Sequence, residues 1–312
     1  MAEQGTVVRS SGSVYGVRTA GGALVDCRVK GNFRLKGIRS TNPVAVGDHV
    51  RFVVREDGTA YITEILDRKN YIVRKSSNLS KQSHILAANL DLCFLVVTIS
   101  HPATATTFID RFLAAAEAYR VPVVLVFNKT DIYNEIEREE LGYLTALYEN
   151  IGYSCLHSCA TTGGGIDALK EMMKGKVSLL AGNSGVGKSS LVNAVAPEIA
   201  TKVGEISKTH DTGMHTTTYT EMFEFMPGSY IVDTPGVKGF GTYDMEVEEI
   251  SHYFVEFFEL SKGCRYSNCT HTHEPGCAVL EALERGELAP SRYQSYLSML
   301  EDKEEGKYRA SE

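Results

Sequence analysis

The sequence has no tryptophan, no apolar run long enough to span a membrane, and no charged-then-apolar leader in its first ten residues, MAEQGTVVRS. The first absence leaves intrinsic fluorescence to the 16 tyrosines. The other two argue against a membrane protein and against a secreted one. We therefore expect a soluble cytoplasmic protein, whose 312 residues are enough for two or three domains.

The number of cysteines and the net charge argue against two further classes of protein. Seven cysteines, an odd number, do not suit the disulfide framework of a small secreted domain. The formal net charge of −7 argues against indiscriminate nucleic-acid binding. The first 70 residues nevertheless carry +4, from eleven basic and seven acidic residues, which leaves −11 for the rest. A local basic surface on an acidic whole fits a shape-specific nucleic-acid contact.

A glycine-rich segment with the pattern Gly-x-x-x-x-Gly-Lys-Ser lies between an apolar run, 177–181, and a helix-forming run, 190–195. In this context the backbone N–H groups of the turn and the helix N-terminus favour phosphate, and a turn without a ligand is the disfavoured alternative. Lys188 would reach the β- and γ-phosphates, and Ser189 would ligate Mg²⁺. The predicted phosphate-binding residues are Gly182, Asn183, Ser184, Gly185, Val186, Gly187, Lys188, Ser189 and Ser190.

The tetrapeptide Asn128-Lys129-Thr130-Asp131 ends a second apolar run, 121–127, which predicts a buried parallel strand. The Asp131 carboxylate can accept hydrogen bonds from guanine N1–H and from the guanine 2-amino group. Because adenine lacks both donors, a site built around this carboxylate selects guanine. Asn128 would hold the motif together, and the aliphatic stem of Lys129 would lie over the ring.

A third base-contacting loop is predicted one strand later, at Ser158-Cys159-Ala160. It resembles the serine–alanine loop of GTPases, in which a backbone N–H meets guanine O6. A plain strand-to-helix turn is the alternative.

The tetrapeptide Asp233-Thr234-Pro235-Gly236 follows the short apolar strand 230–232. Asp233 would hold Mg²⁺ through water, and the Gly236 N–H would sense the γ-phosphate. The next residue is Val237, where many GTPases place a glutamine that orients the attacking water. Because valine has no polar atom, we expect slow hydrolysis by the isolated protein, with the water positioned by another group or by a partner.

The polar segment 202–218 lies between these two phosphate-side motifs and is predicted to be a switch loop, ordered by the γ-phosphate. A threonine must reach the metal when GTP is bound, and Thr217 is favoured over its neighbours Thr216 and Thr218. His215 is either a solvated loop residue or the catalytic group that replaces the polar side chain missing at Val237. The predicted catalytic residues are His215, Lys188 and Thr217.

The order of the motifs is unusual, because the base-selecting tetrapeptide precedes the phosphate loop and DTPG comes last. An ordinary GTPase domain runs phosphate loop, DxxG, NKxD, so this chain enters the same domain at a different point. Alternating elements predict a mostly parallel sheet with helices on both faces and ligands at the carboxyl ends of its strands. Residues 71–240 are therefore predicted to form an α/β, circularly permuted P-loop GTPase domain. The predicted strands are 91–98, 121–127, 153–157, 177–181, 218–225 and 230–233, and the predicted helices are 105–119, 135–149, 166–174 and 188–195.

Residues 1–70 are predicted to form an N-terminal OB-type β-barrel that binds RNA. Tyr15, Phe33 and Tyr61 could stack on bases or fill the barrel core, and the core is favoured for Tyr61. The basic loop 30–42 is a predicted RNA contact, and 75–83 is predicted to be a linker. The candidate strands are 6–8, 14–17, 24–29, 49–54 and 60–65, with turns at 21–22 and 56–58.

Residues 241–312 are predicted to form a helical zinc-binding domain, interrupted by the pattern Cys-x₄-Cys-x-His-x₅-Cys. Three thiolates and an imidazole complete a tetrahedral shell without a free position, which indicates one structural zinc ion. The predicted ligands are Cys264, Cys269, His271 and Cys277. His273 is a rival to the favoured His271, and reduced cysteines without metal are the alternative.

The barrel, the permuted motif order, the switch sequence GMHTTT at 213–218 and the zinc segment together cover nearly the whole chain. This combination resembles the small-ribosomal-subunit-dependent GTPase A family, RsgA, also called YjeQ. The resemblance implies a cytoplasmic GTPase that acts late in assembly of the bacterial 30S ribosomal subunit, contacts 16S rRNA through its barrel and zinc domains, and hydrolyses GTP to GDP when stimulated by the subunit. It also implies Zn²⁺ and Mg²⁺ as cofactors, and we expect a monomer. Met214 departs from the basic residue typical of that switch sequence and is assigned no role.

Two other classes share part of the pattern. A P-loop ATPase or kinase would have the phosphate loop but no use for Asp131. A metal-bound nucleic-acid module with a vestigial nucleotide site would keep the cysteines and the basic barrel. The presence of Lys188, Ser189, Asp131 and Asp233 argues against such decay.

Overall fold

The computed structural model describes residues 2–29, 43–75, 83–199, 220–233 and 245–304. The strands are β1 (Ala2–Ser11), β2 (Val14–Thr19), β3 (Leu24–Val29), β4 (His49–Val54), β5 (Ala60–Ile65), β6 (Tyr71–Lys75), β7 (Ser83–Ala88), β8 (Leu92–Val97), β9 (Val123–Phe127), β10 (Ser154–His157), β11 (Val177–Ala181), β12 (Thr220–Met226) and β13 (Ser229–Asp233). The helices are α1 (Thr106–Ala118), α2 (Glu135–Ile151), α3 (Ile166–Met173), α4 (Lys188–Val195), a 3-10 helix (Val247–Tyr253), α5 (Val255–Ser261), α6 (Ala278–Glu284) and α7 (Pro290–Glu304). Among these described residues, no helix combines the length and the apolar character needed to cross a bilayer.

The first five strands close into the predicted barrel. Around it, β1 pairs with β2 and β4, β2 pairs with β3, and β4 pairs with β5, all antiparallel. A parallel pairing of β3 with β5 completes the circle, so that none of the five is an open edge along its whole length. Alternate side chains of each strand point inward, and those of Val7, Val17, Val50, Phe52 and Ile62 form the barrel core.

The aromatic residues Tyr15 and Tyr61 differ in burial, and not in the way that the sequence predicted. Tyr15 is buried in the barrel core. Tyr61, favoured as a core residue, is only partly buried, and the Arg55 guanidinium carbon lies 4.5 Å from its ring centroid. The favoured core placement of Tyr61 is therefore wrong, because its ring lies at the barrel surface under a cation. Phe33 and the basic loop 30–42 lie outside the described residues.

The strands β10, β9, β8, β11 and β13 lie in that order and are parallel, and β12 pairs antiparallel with β13. The alternation along β8 shows that both faces are covered: Cys93, Leu95 and Val97 belong to one core cluster, and Phe94 and Val96 to another. A strand buried on both faces explains its continuous apolar sequence. All ten elements predicted between residues 91 and 233 are present, with ends displaced by no more than two residues.

Two connections were not predicted. First, β1 pairs with β12 through Arg9↔Glu221 and Ser10↔Thr220, so the barrel and the parallel strands form one 11-stranded sheet. Second, β6 and β7 form an antiparallel hairpin. Residues 75 and 83, predicted as the ends of a linker, are paired with each other in this hairpin, and residues 76–82 lie outside the description.

The C-terminal helices pack on α1 through a buried ion network. Arg292 of α7 donates to Asp110 of α1 (2.9 Å) and to both carboxylate oxygens of Glu256 of α5 (2.6 and 2.9 Å). Asp110 also accepts from Ser295 (2.6 Å) and from Tyr148 of α2 (2.9 Å). Because every charge has a partner, this network can lie inside the apolar core that α1 and α7 share.

Candidate functional site

Four of the predicted motifs meet at one edge of the sheet. Residues 128–131 follow β9, 158–160 follow β10, and 182–189 follow β11, while Asp233 is the last residue of β13. These strands belong to one parallel set, so their carboxyl ends point the same way. Motifs separated by about a hundred residues in sequence therefore lie beside one another, at the edge where open α/β sheets bind ligands.

The phosphate-type loop has positive φ at three glycines: +136° at Gly182, +82° at Gly185 and +96° at Gly187. A Cβ on Gly182 would lie 2.2 Å from the Val96 carbonyl oxygen. A Cβ on Gly187 would lie 2.4 Å from the Asn128 side-chain nitrogen. Glycine is thus required both by conformation and by space, and Gly187 leads directly into α4.

The Lys188 side chain turns back over this loop. Its ammonium group donates to the carbonyl oxygens of Gly182 (2.8 Å) and Asn183 (2.5 Å). Ser189 and Ser190 are exposed at the start of α4, whereas the Val186 side chain is fully buried and can offer a ligand only its backbone. The loop therefore presents a cation and backbone N–H groups beside a helix N-terminus, which is an anion-binding arrangement.

Asn128 joins three of the loops. Its side-chain nitrogen donates to the Val186 carbonyl oxygen (2.8 Å), and its side-chain oxygen accepts from the Ser158 hydroxyl (3.1 Å). The Asn128 side chain is buried, as is Ser158. The backbone N–H of Thr130 also donates to the Ser158 carbonyl oxygen (3.3 Å), so the loops after β9, β10 and β11 are held in one arrangement.

Asp131 is exposed at the open side of this junction. The Cys159 thiol and the Thr161 hydroxyl, which donates to Asp131 Oδ2 at 2.9 Å, hold the pKa of this carboxyl below its ordinary value. Like an ordinary exposed carboxyl, Asp131 is ionised at neutral pH and can accept hydrogen bonds from a ligand. Cys159 is buried and Ala160 is partly buried, while Thr161, which no sequence motif indicates, supports the carboxylate.

A loop that sequence patterns did not indicate lies between the base side and the phosphate side. It comprises residues 98–104, after β8. Its His101 carbonyl oxygen accepts from the Lys129 ammonium group (2.5 Å), and the Ile99 N–H donates to the Tyr133 hydroxyl (3.0 Å). On the other side, a Cβ on Gly185 would lie 3.3 Å from Pro102 Cδ. The one signal that could have indicated this loop is that it follows β8, which lies between β9 and β11 in the sheet.

The remaining predicted nucleotide residues fall outside the described part of the chain. Gly236, His215 and Thr217 do so entirely, together with the neighbouring Thr216 and Thr218. For Asp233 the backbone is described, and it pairs with Glu221 of β12.

The predicted metal ligands come together. One ligand atom from each of Cys264, Cys269, His271 and Cys277 lies within 4.8 Å of all the others. His271 Nδ1 is 3.6 Å from Cys264 Sγ and 3.4 Å from Cys277 Sγ, and the last two sulfurs are 4.0 Å apart. A tetrahedral zinc ion with its usual bond lengths needs sulfur–sulfur distances of about 3.8 Å and sulfur–nitrogen distances of about 3.6 Å. The cluster therefore fits one zinc site.

The surroundings of the cluster favour His271 over His273. The His271 ring is buried against Phe257, and its carbonyl oxygen accepts from the Tyr293 hydroxyl (2.9 Å). His273 is exposed, and its ring nitrogen is hydrogen-bonded to the Thr272 hydroxyl (2.8 Å). Burial raises the pKa of the Cys269 thiol to about 12, so this thiol stays protonated without a metal. A bound cation would be needed to stabilise the thiolate form.

The fold and the order of its motifs define the class of protein: a P-loop GTPase whose base-selecting strand, β9, precedes its phosphate-loop strand, β11, along the chain. This is a circularly permuted GTPase. A family model described as RsgA GTPase matches residues 65–243, and one described as RsgA N-terminal domain matches residues 4–62. The chain belongs to the RsgA GTPase family, as its resemblance predicted.

Full-length relatives agree with this assignment. The chain is 62% identical over 308 residues to small ribosomal subunit biogenesis GTPase RsgA 2 of Bacteroides thetaiotaomicron, covering 99% of each. It is 59% identical over 310 residues to small ribosomal subunit biogenesis GTPase RsgA of Porphyromonas gingivalis, covering 98% of each.

Solved structures show the same fold. The crystal structure of YjeQ from Thermotoga maritima matches with a TM-score of 0.75 at 36% identity, covering 97% of this chain and 98% of that one. YloQ, described as a circularly permuted GTPase, matches with a TM-score of 0.74 at 27% identity, covering 99% and 97%. The predicted α/β permuted fold is therefore confirmed.

Proposed function

We propose that this GTPase acts in late maturation of the bacterial small ribosomal subunit, binding GTP at the strand-end edge and hydrolysing it to GDP when the 30S subunit stimulates it. One observation carries the nucleotide half of the proposal. Asn128 hydrogen-bonds both the phosphate-type loop and the Ser158 loop, so the groups suited to guanine and those suited to phosphate belong to a single site. The ribosomal half rests on the small-subunit role in the names of relatives that match over nearly the whole chain.

Guanine selection is assigned to the loops after β9 and β10. Asp131 would accept from guanine N1–H and the 2-amino group, as an exposed carboxylate held by Thr161 can. Lys129 would cover the base with its stem. A backbone N–H in the loop Ser158-Cys159-Ala160 would meet guanine O6. An adenine nucleotide would leave the carboxylate unpaired, which strongly disfavours it.

Phosphate and Mg²⁺ binding are assigned to the loop after β11 and the end of β13. Lys188 would exchange its two loop carbonyls for phosphate oxygens when a nucleotide enters. Ser189, Asp233 and Thr217 are proposed around Mg²⁺, directly or through water, and the Gly236 N–H at the γ-phosphate. This assignment follows the family arrangement, and the exposed position of Ser189 at the start of α4 supports it.

The catalytic step is assigned to the switch segment. Val237 cannot orient the attacking water, so the isolated protein should be slow. We propose that the 30S subunit orders this segment and brings His215 to the water, where an imidazole can orient it or accept its proton.

The other two regions are proposed to contact 16S rRNA. The N-terminal region, 1–70, offers a barrel with an excess of basic residues, and the C-terminal region, 241–312, offers a small helical unit around one zinc ion. The family models meet between residues 62 and 65, which supports a division close to residue 70. The GTPase region is 71–240. We propose that the protein is cytoplasmic and monomeric.

The test of the nucleotide site is Asp131→Asn. The variant should bind GDP and GTP more weakly and xanthine nucleotides more tightly, because one acceptor becomes a donor opposite the extra carbonyl of xanthine. Fluorescent nucleotide analogues suit this test, because the protein has no tryptophan whose emission could report binding. Asp167→Asn, an exposed change in the first turn of α3, is the matched control. An Asp131→Asn protein with wild-type affinity for GDP would remove this carboxylate from the base site.

The test of the ribosomal role is co-sedimentation with 30S, 50S and 70S particles, in the presence of a non-hydrolysable GTP analogue or GDP. The proposal expects nucleotide-dependent binding to 30S and faster GTP hydrolysis with 30S than with 50S. Equal behaviour toward both subunits would contradict it.

A further inference from the structure

We propose that Tyr133 is a positioning residue for guanine recognition: its hydroxyl joins the loop 98–104 to the main chain of the base-selecting tetrapeptide and so aligns Lys129 and Asp131 with the base. This inference rests on the proposed nucleotide site. Tyr133 lies outside every motif, two residues after Asp131.

The Tyr133 hydroxyl makes two hydrogen bonds in a buried position. It donates to the Asn128 carbonyl oxygen (2.5 Å) and accepts from the Ile99 N–H (3.0 Å), and the residue is 2% exposed. A hydroxyl can donate once and accept, so both partners are satisfied by one group. Phenylalanine would fill the same space and leave a buried N–H and a buried carbonyl without that partner.

The backbone between these contacts needs support. Lys129 has a φ of +63°, in the left-handed region that side-chain-bearing residues adopt at a cost. The peptide before it is fixed at the Asn128 carbonyl by Tyr133. The Lys129 ammonium group is fixed by the His101 carbonyl oxygen (2.5 Å). Both contacts involve the loop 98–104, so that loop helps to set where the lysine stem lies and how the chain enters Asp131.

The loop 98–104 is itself braced. The Thr98 hydroxyl donates to the Pro102 carbonyl oxygen (2.5 Å), and the Thr98 N–H donates to the Thr104 hydroxyl (3.1 Å). Two contacts join this braced loop to the base side: the exposed one between Lys129 and the His101 carbonyl oxygen, and the buried one made by the Tyr133 hydroxyl.

The experiment measures affinities of Tyr133→Phe for GDP and for IDP, which lacks the 2-amino group. If the penalty of leaving a buried donor or acceptor unpaired falls on the GDP-bound geometry, GDP binding should weaken by roughly fivefold to 150-fold. A misaligned Asp131 loses its contact with the 2-amino group of GDP. IDP has no 2-amino group, so its binding should weaken less. The GDP-to-IDP affinity ratio should therefore fall.

Tyr148→Phe is the matched control. Tyr148 is also fully buried, and its hydroxyl donates to Asp110 (2.9 Å), away from the nucleotide edge. Its loss should lower the melting temperature and leave the GDP-to-IDP ratio unchanged. A Tyr133→Phe protein that loses stability but keeps the wild-type ratio would overturn the positioning role.

Nucleotide preference of the two variants distinguishes a failure of the Tyr133 role from a failure of the base site. If Asp131→Asn shifts nucleotide preference and Tyr133→Phe does not, only the role of Tyr133 fails; if neither does, the base site itself fails. If Tyr133→Phe does not fold, hydrogen exchange on the wild-type protein decides. GDP should slow exchange of the Ile99 amide, and an unchanged rate would overturn the inference.

Discussion

The buried arginine of α7 offers the sharpest stability prediction. The Arg292 side chain is 1% exposed, and the side chains of its partners Asp110 and Glu256 are 0% and 15% exposed. Arg292→Met keeps most of the volume and removes the charge. Two carboxylates would then lie in the core without their cation, which costs about 3–5 kcal/mol when one partner of a buried pair is removed.

The assay is urea unfolding of the full chain, with Arg285→Met as the control. Arg285 also contacts two carboxylates, Glu281 at 3.8 Å and Glu287 at 2.9 Å, but its side chain is 54% exposed. An exposed pair contributes about 0–1 kcal/mol, so the control should be nearly as stable as the wild type.

The free energy of unfolding of Arg292→Met should also depend on pH in a defined direction. Burial raises the pKa of Asp110 above its ordinary value, and the Arg292 guanidinium partly opposes this. Without Arg292 the folded-state pKa rises further, so the folded variant binds a proton more readily than the unfolded chain. The destabilisation caused by ionised Asp110 is then absent below its unfolded-state pKa and sets in as pH rises through the raised folded-state pKa.

The deficit of Arg292→Met relative to wild type should therefore be smaller at about pH 5 than at about pH 7. Equal deficits for Arg292→Met and Arg285→Met, or a deficit that grows on acidification, would refute the reasoning.

Three other outcomes are expected. Elemental analysis should find about one zinc ion per chain, as a closed site requires, with the ion lost in His271→Ala and kept in His273→Ala. Gly187→Ala should weaken nucleotide binding about tenfold or more, because it adds a steric clash to a positive φ; Gly175→Ala shares the positive φ with open space around it and should bind normally. His215→Ala should lose most of the 30S-stimulated hydrolysis in single-turnover assays while GTP affinity survives, and full stimulation would move the catalytic role to another group.

The nucleotide motifs could be predicted because each is a short contiguous segment whose chemistry needs particular residue types. Gly187 illustrates this: its place in the pattern follows from a φ and a clearance that only glycine provides. The alternation of strand and helix was equally local. The four residues of the candidate zinc site could be found because residues within one short segment suffice to enclose an ion.

Other features depend on contacts that sequence periodicity does not encode. Tyr133 and Thr161 have no motif, and their positions follow only from how neighbouring strand ends meet. The placement of Tyr61 failed because the alternation along β5 was not applied to it: Ala60 and Ile62 on either side are buried in the barrel core, so the Tyr61 side chain points outward, where its ring lies beside Arg55. The β6–β7 hairpin joins two short strands across a polar stretch that resembles a linker.

The pairing of β1 with β12 has a consequence for synthesis of the chain. Thr220 leaves the ribosome 210 residues after its partner Ser10. At usual elongation rates that interval lasts about 10 to 40 s. During this time the far end of β1 is an unpaired strand edge, able to pair with other chains. The outer edge of β1 is therefore covered only after β12 has been made.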